Sequence, residues 1–494
     1  MNPPAPVRVV VAGGGTAGWI AATALARQLG RLVEVTLVES EEIGTIGVGE
    51  STIPTAHAFH ELLKIDQRAF MTASQASFKL AISFENWTRP GDRYLHSFGT
   101  MPLKTWVADF QHFWLEAKAH GEAGPIGEHY LEHEAARQQR FTLGGEPGLN
   151  YAYHLDAGLY ARFLRQIAET EGVTRREGKI ADVELHGESG DIAGLVMDDG
   201  ERIAGDLFID CTGFRAMLIE KALGTDFEDW SHWLPCNAAW AAPTESTEDA
   251  HPYTRAIAHG IGWRWRIPLQ HRMGNGLVFC SGRTETEAAL EEFQASIEGK
   301  TLRDPFLVRF KTGRRHKAWV KNCVALGLSS GFVEPLESTA IHLIMIAATR
   351  LIQLFPFGPD WAAQRDRFNE LSQYEIEQVR DFVILHYHLN RRDEEFWRDL
   401  REMEVPDTLR HRMESFVQGA HAWQATNEIF RVDSWVQVML GQGLDPQAWH
   451  RMSELMSEGR LKHELEGLRQ GIELAVKRMP SHQDFLGGYC PNRN

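Results

Sequence analysis

The chain has 494 residues, 43% hydrophobic and 24% charged, which is ordinary globular composition and enough chain for one large composite domain or two to three domains. A net charge of −16 favours solubility and argues against nucleic acid or an anionic membrane surface as partner. Five cysteines (Cys211, Cys236, Cys280, Cys323, Cys490) are widely spaced, odd in number and lack a C-x-x-C pair, which points to a reduced, cytoplasmic setting.

The opening MNPPAP has neither a basic nor an apolar signal region, so no secretory leader is expected. Val7 to Val11 reads as a fully buried strand. It runs directly into Gly13-Gly14-Gly15-Thr16-Ala17-Gly18, then into a helical pattern from Trp19 to Leu29 with Gly30 as its stop. A second apolar strand, Val33 to Val38, ends at Glu39. This order is that of a dinucleotide-binding βαβ unit. Gly13 permits the tight turn, Gly15 lets the backbone approach a pyrophosphate, and Gly18 lets helix and strand pack closely. The helix N-terminus offers N–H groups and partial positive charge to phosphates, and Glu39 can accept from ribose hydroxyls. This stretch alone leaves FAD and NAD open.

Gly44 to Pro54 carries three glycines in six residues and reads either as an ordinary loop or as a backbone strap against the cofactor. Residues 55 to 85 are expected to be mostly helical and to carry Lys79 among Phe78, Leu80, Ala81, Ile82 and Phe84. Lysines in such windows usually snorkel to the surface, but one held in apolar surroundings can act on small reactive species. Tyr94 to Gly99, with His96 and Phe98, is expected to be a loop, and 105–140 and 157–171 helical. Residues 173 to 210 alternate like a β-meander, with strands at 173–176, 180–185, 192–197 and 202–209. The last enters Asp210-Cys211-Thr212-Gly213, a frequent second nucleotide contact in large flavoproteins, which favours FAD.

Gly262 to Leu269 reads as a strand with Trp263 and Trp265 on one face and Arg264 and Arg266 on the other. Asn322 to Gly327 is a further strand, followed by Leu328 and by Glu337-Ser338-Thr339 just ahead of a helix from about Ile341. Helix capping and anion binding are equally open there. The apolar run Ile341 to Phe357 is too short and too polar to span a bilayer. From 341 to 494 mostly helix is expected, and His386 and His388, two apart on a helix, diverge rather than share a metal, so no metal site is expected. Fifteen tryptophans suit either core packing or a pocket for a flat aromatic ligand.

With Lys79, Trp263-Arg264-Trp265-Arg266-Ile267-Pro268 and Pro335-Leu336-Glu337-Ser338-Thr339 together, the chain resembles the flavin-dependent tryptophan halogenase family over nearly its whole length. The W-x-W-x-I-P motif is specific to that family; the glycine motif is shared with related flavoproteins. The resemblance implies an α/β fold, mixed with α+β features. It would have a Rossmann-like, FAD-binding core of the flavoprotein monooxygenase type and a largely helical C-terminal substrate module. The core would span 1–340, with insertions at about 55–140 and 215–320, and the helical module 341–494 would pack on it.

The implied activity is that of an FADH2-dependent halogenase, which makes hypohalous acid from chloride or bromide and O2. Lys79 and Glu337 would be catalytic. Lys79 would aim the acid at an aromatic carbon, and Glu337 would assist the lysine or remove the ring proton. Flavin contacts would come from Gly13, Gly15, Thr16, Ala17, Gly18, Glu39, Gly49, Glu50, Ile180, Leu328 and Ile341. Thr339 and Ala340 would hold halide, His96 and Phe98 would sandwich an indole-like ring, and Trp263, Trp265, Ile267, Pro268 and Ser338 would line a tunnel. A separate NAD(P)H-dependent flavin reductase would supply the cofactor, the substrate would be a small aromatic molecule, and a homodimer stays open.

Two departures stand out. Ala340 replaces the family's usual glycine, and 422–435 does not show the residues that clamp free tryptophan in tryptophan-specific members. The alternatives are a flavin-dependent aromatic monooxygenase and a halogenase acting on a carrier-bound substrate.

Overall fold

The computed structural model describes residues 5–43, 49–101, 107–145, 148–358 and 360–490. Of the expected strap, Gly44 to Val48 lie outside the described residues. The chain forms two compact units, one built from Met1–Ala76, Leu155–Asn237 and Arg309–Glu377, the other from Ser77–His154, Ala238–Val308 and Gln378–Asn494.

The first unit is built on a six-stranded sheet in the order Trp319–Val320, Cys323–Ala325, Leu207–Asp210, Val7–Ala12, Val33–Glu39, Thr174–Glu177. Every pairing but the first is parallel. Val9 to Ala12 have no more than 1% exposure, as a β-branched strand covered on both faces requires. Helices Thr16–Leu29, Ala157–Thr170 and Ala340–Gln353 pack together on this sheet's connections. The expected four-stranded meander divides. Only Ile180–Leu185, Ile192–Met197 and Arg202–Ile203 form an antiparallel sheet. Thr174–Glu177 and Leu207–Asp210 instead join the parallel sheet, because Gly205 lies against Val10 and the Arg8–Asp206 ion pair lays the chain beside the first strand.

The second unit carries a seven-stranded sheet, ordered Phe306–Arg309, Ala238–Thr244, Met273–Phe279, Gly262–Pro268, Tyr253–His259, Ala81–Glu85, Arg93–Ser97. Two expectations fail here. Ser77–Lys79 and Ala81–Glu85 are strands, not helix, and Arg93–Ser97 is a strand, not loop. The window S-F-K-L-A-I-S-F is apolar on both faces, so it has no period that separates a buried strand from a buried helix. Pairing decides: Ala81–Glu85 lies parallel to Tyr253–His259 and antiparallel to Arg93–Ser97. Around this sheet stand helices Phe110–Ala119, Glu395–Glu402, Asp407–Gly419, Val432–Gly441, Glu458–Lys477 and His482–Tyr489. His386 packs against Phe84 and Trp87, with Nδ1 on the Phe382 carbonyl at 2.8 Å, which is a core role.

No helix among the described residues is long and apolar enough to cross a membrane. All five cysteines are buried.

Burial holds several histidines neutral. It lowers His60 to about 3 and His112 and His482 to about 4. Below the ordinary imidazole value the unfolded chain takes up protons that the fold refuses, so stability falls as pH drops from about 6.5 to about 4. Glu50 acts in the opposite sense, since burial raises its carboxyl to about 7. The histidines outnumber it. The thermal midpoint is therefore expected to fall between pH 7 and pH 5, and His482→Gln is expected to recover part of that fall. Equal pH slopes for the variant and the parent would contradict this origin.

Candidate active site

In the first unit, the glycine-rich turn is held by Gly13 N–H donating to the Val38 carbonyl at 2.8 Å. Gly13 has φ +111°, and a Cβ there would lie 2.3 Å from the Cys211 carbonyl oxygen. A Cβ at Gly18 would lie 1.8 Å from the Gly13 carbonyl oxygen, so the helix touches the turn it springs from. Gly15 is the N-cap of this helix, with no side-chain cap and no acidic residue in the first turn. The first-turn N–H groups of Thr16, Ala17 and Gly18 and the positive end of the helix dipole are thus suited to a pyrophosphate. The residues present fit a dinucleotide.

Glu39, the acidic residue closing the second strand, accepts from Arg175 Nε at 2.6 Å and Trp19 Nε1 at 3.3 Å. Its carboxylate lies over Gly14, where a Cβ would meet Oε2 at 1.6 Å. Gly14 and Arg175 are therefore part of the acidic corner, although sequence reasoning assigned them nothing. Asp210 is fully buried. Its Oδ1 accepts from Thr212 N–H and hydroxyl, and Oδ2 from Leu218 and Ile219 N–H, all at 2.7–2.9 Å. This carboxylate shapes the turn that follows it, with both of its oxygens engaged by protein donors.

Gly49 is buried, with φ +87°, and Glu50 opens a two-residue strand. Ile180 starts a strand of the antiparallel sheet and packs on that sheet's core. Leu328 lies in the 3-10 turn Gly327–Ser329, and Ile341 is buried in the helix Ala340–Gln353. Leu328 and Ala340 line one concavity, together with Phe332, Val333 and Ile344.

Glu337 is 1% exposed and ends the 3-10 turn Pro335–Glu337. Ser338 follows in the left-handed region at φ 61°, ψ 33°, a conformation that costs a non-glycine residue about 1–2 kcal/mol. Thr339 is the N-cap of the next helix but makes no side-chain cap, so capping by Thr339 is excluded. Ala340 is an ordinary helical residue outside the positive-φ region. The backbone there does not call on glycine's freedom.

In the second unit, Lys79 has no solvent exposure, which corrects the surface reading. It shares a strand face with Ser77, and Ala152 stands opposite it across the antiparallel pair. A methyl group there leaves room for the amine. On the other face, Phe78 is fixed by Phe141, Tyr151, Phe485 and Tyr489. Phe98 donates its N–H to the Leu80 carbonyl at 2.9 Å, and the Lys79 Nζ lies 5.3 Å from its ring centroid. His96 is buried, opposite Ile82, with its ring 5.6 Å from Phe382. Phe382 stacks on Phe430 at 3.7 Å and meets Trp435 edge-on at 4.8 Å. Phe382 and Phe430 are members of this aromatic wall that sequence reasoning missed. Their only signal was apolar character, Phe382 on a helix and Phe430 just ahead of one.

Trp263, Trp265, Ile267 and Pro268 all lie on one strand and are buried, with the two indoles 6.1 Å apart. The two carboxylates of 422–435 are engaged inside the unit. Glu428 accepts from Arg412 at 2.6 Å, Ala425 N–H at 2.7 Å and Trp435 Nε1 at 2.9 Å. Asp433 accepts from Met101 N–H. Among the described residues no cluster of histidine, cysteine and carboxylate side chains is arranged to hold a metal.

A parallel sheet with this glycine turn defines a flavoprotein of the Rossmann-like class. The family model for tryptophan halogenase matches residues 8–458. The chain belongs to the tryptophan halogenase family and is an enzyme of the flavin-dependent halogenase class. It is 38% identical to tryptophan 6-halogenase SttH of Streptomyces toxytricini, over 98% of this chain and 99% of the relative. Among solved structures it is similar to Xcc4156, a flavin-dependent halogenase from Xanthomonas campestris, at 52% identity and TM-score 0.97, covering 99% of each chain. It is also similar to BrvH, a flavin-dependent halogenase from Brevundimonas sp. BAL3, at 41% identity and TM-score 0.94, covering 99% of this chain and 100% of that one. These comparisons do not favour the aromatic monooxygenase alternative.

Gly18→Ala is expected to destabilise the apoprotein by about 1–3 kcal/mol, the usual range for overpacking, because the clash is with backbone. Denaturant unfolding of the two apoproteins measures it, and matched midpoints would mean the helix shifts without cost.

Proposed function

We propose that the chain is an FADH2-dependent halogenase that makes hypohalous acid from halide and O2 and delivers it through Lys79 to an electron-rich carbon of an indole-type arene. The observation that carries this reading is a lysine with no solvent exposure and an aromatic ring 5.3 Å from its Nζ. Reduced FAD, with O2, supplies the two-electron oxidation that converts halide and a proton into hypohalous acid. Gly13, Gly15, Thr16, Ala17, Gly18, Glu39, Gly49, Glu50, Ile180, Leu328 and Ile341 hold the flavin, and the Thr339–Ala340 backbone holds halide. Trp263, Trp265, Ile267, Pro268 and Ser338 line the path of the acid.

Lys79 holds the hypohalous acid by a hydrogen bond and orients its halogen toward the ring. His96 and Phe98 stack the substrate. The carbon–halogen bond forms as the halogen–oxygen bond breaks, the ring proton leaves to Glu337, and that proton then neutralises the departing hydroxide, so that water is the by-product and the carboxylate is regenerated. Dry surroundings favour this arrangement, since bulk water would compete for the amine's hydrogen bonds.

Indole is expected to be preferred over free tryptophan. With Glu428 and Asp433 engaged inside the unit, neither is left to pair with the ammonium of tryptophan, whose binding would strip its hydration. Bromide is expected to serve at least as well as chloride, because it is easier to oxidise and less strongly hydrated. A separate NAD(P)H-dependent flavin reductase supplies FADH2, and the working location is the cytoplasm.

The test incubates the enzyme with FAD, a flavin reductase, NADH, bromide or chloride, and indole or tryptophan in competition, read by the halogen isotope pattern in mass spectra. Halogenated indole as the main product supports the reading, and tryptophan winning with chloride overturns the substrate half. Lys79→Ala is expected to abolish halogenated product while flavin binding persists. Glu337→Gln is expected to slow turnover by about 100- to 10,000-fold, the usual contribution of a general base. An unchanged Glu337→Gln rate would reduce that carboxylate to a structural role.

A further inference from the structure

His154 is fully buried one strand away from Lys79 and has no place in the chemistry above. It stands opposite Ser77 across the antiparallel pair Ser77–Lys79 and Ala152–Leu155, on the face that Lys79 shares. Its Nδ1 is 3.1 Å from Ser77 Oγ, and its Nε2 is 2.9 Å from Thr254 Oγ1. Ser77 Oγ is also 2.6 Å from the Pro268 carbonyl.

The protons on this chain follow from the acceptors. A carbonyl only accepts, so the single Ser77 proton goes to Pro268. Ser77 must then accept from His154, which places the imidazole proton on Nδ1. Nε2 keeps its lone pair and accepts from the Thr254 hydroxyl. Burial and the neighbouring Lys79 cation hold the ring neutral, in keeping with this tautomer.

The chain of bonds joins the strand of His154 to three others. Ser77 is two residues before Lys79. Pro268 ends the strand that carries Trp263, Trp265 and Ile267. Thr254 sits on the strand that pairs with Ala81–Glu85, directly after Lys79 and Leu80. The three-residue strand Ser77–Lys79 is too short to fix its own register firmly, and a slip of one residue would send Lys79 to the opposite face. We propose that His154, acting through Ser77, is a positioning residue that pins the Lys79 strand to the end of the W-x-W-x-I-P strand and so aims the lysine amine. This inference rests on the reading of Lys79 as the group that delivers hypohalous acid.

The experiment compares the holoenzyme with His154→Leu, His154→Asn, Ser77→Ala and Lys79→Ala. Three quantities are measured: FAD binding, total hypohalous acid caught by a small enolic scavenger, and halogenated indole formed per hypohalous acid made. In His154→Leu the first two should stay within about twofold, while the third falls by between about tenfold and 100-fold, as for a misplaced reacting group. His154→Asn keeps a donor toward Ser77 and should recover most of the yield. Ser77→Ala breaks the same chain and should match His154→Leu, which keeps the test decisive if that variant does not fold. Full yield in His154→Leu, or in Ser77→Ala if that variant does not fold, beside a dead Lys79→Ala overturns the positioning role alone. His154→Asn falling as far as His154→Leu also overturns it. Product from Lys79→Ala overturns the reading of Lys79 beneath it.

Discussion

Removing a primary amine from water is the constraint that shapes the second unit. An isolated ammonium costs several kcal/mol to bury, and a protein keeps one only where its surroundings are fixed in advance. Each neighbour of Lys79 contributes to that fixing. Ala152 opposite leaves space, and Phe98 offers the negative face of its ring at 5.3 Å. The aromatic cluster around Phe78 locks the adjacent residue from the other side of the strand. A lysine so held has already lost the rotamer freedom that a surface lysine keeps.

The first unit answers a different demand, that of bringing backbone close to an anionic ligand. Its means are steric. Gly13, Gly14 and Gly18 each stand where a Cβ would meet another atom at 2.3 Å or less, and those atoms are the Cys211 carbonyl, the Glu39 carboxylate and the Gly13 carbonyl. The turn is therefore a closed set of contacts that leaves the helix's first N–H groups uncapped. Asp210 complements it by using all of its acceptor capacity on four donors within nine residues. Ser338 completes the pattern at another helix start, since a non-glycine residue in the left-handed region marks strain held by its surroundings.

How legible this was depended on what each signal measures. The βαβ unit was plain because steric demands write themselves as glycines at fixed spacing, and because a strand buried on both faces needs β-branched residues. The strand at Gly262–Pro268 was legible by its paired tryptophans, and Ile180–Leu185 and Ile192–Met197 by alternation. Lys79's strand was not, since three residues carry no period and its flanks are apolar on both faces. Arg93–Ser97 was hidden for a related reason, because its identity comes from pairing with Ala81–Glu85. The parallel placement of Thr174–Glu177 beside Val33–Glu39 depends on partners far away in sequence, which no local window contains. A resemblance transfers positions, so it named candidate residues without naming the elements that carry them, while local pattern transfers only shape.

The departures from the tryptophan-specific pattern gain a physical account at 422–435. Arg412 stacks on Trp435 at 4.3 Å and on Trp423 at 4.7 Å while its guanidinium donates to Glu428. Glu428 has no side-chain exposure, and its other bonds go to Trp435 Nε1 and the Ala425 N–H. A buried carboxylate with these donors is stable as it stands. Turning it toward a substrate ammonium would strand the Arg412 guanidinium inside the unit, at the cost of breaking a buried ion pair, about 3–5 kcal/mol. The same network presses Trp435 against Phe382, and Phe382 against Phe430 and His96. The charges of this stretch are thus engaged in stiffening an aromatic wall. Under the proposed function, such a wall would discriminate by flatness and fit, which are properties of the indole ring rather than of the groups attached to it.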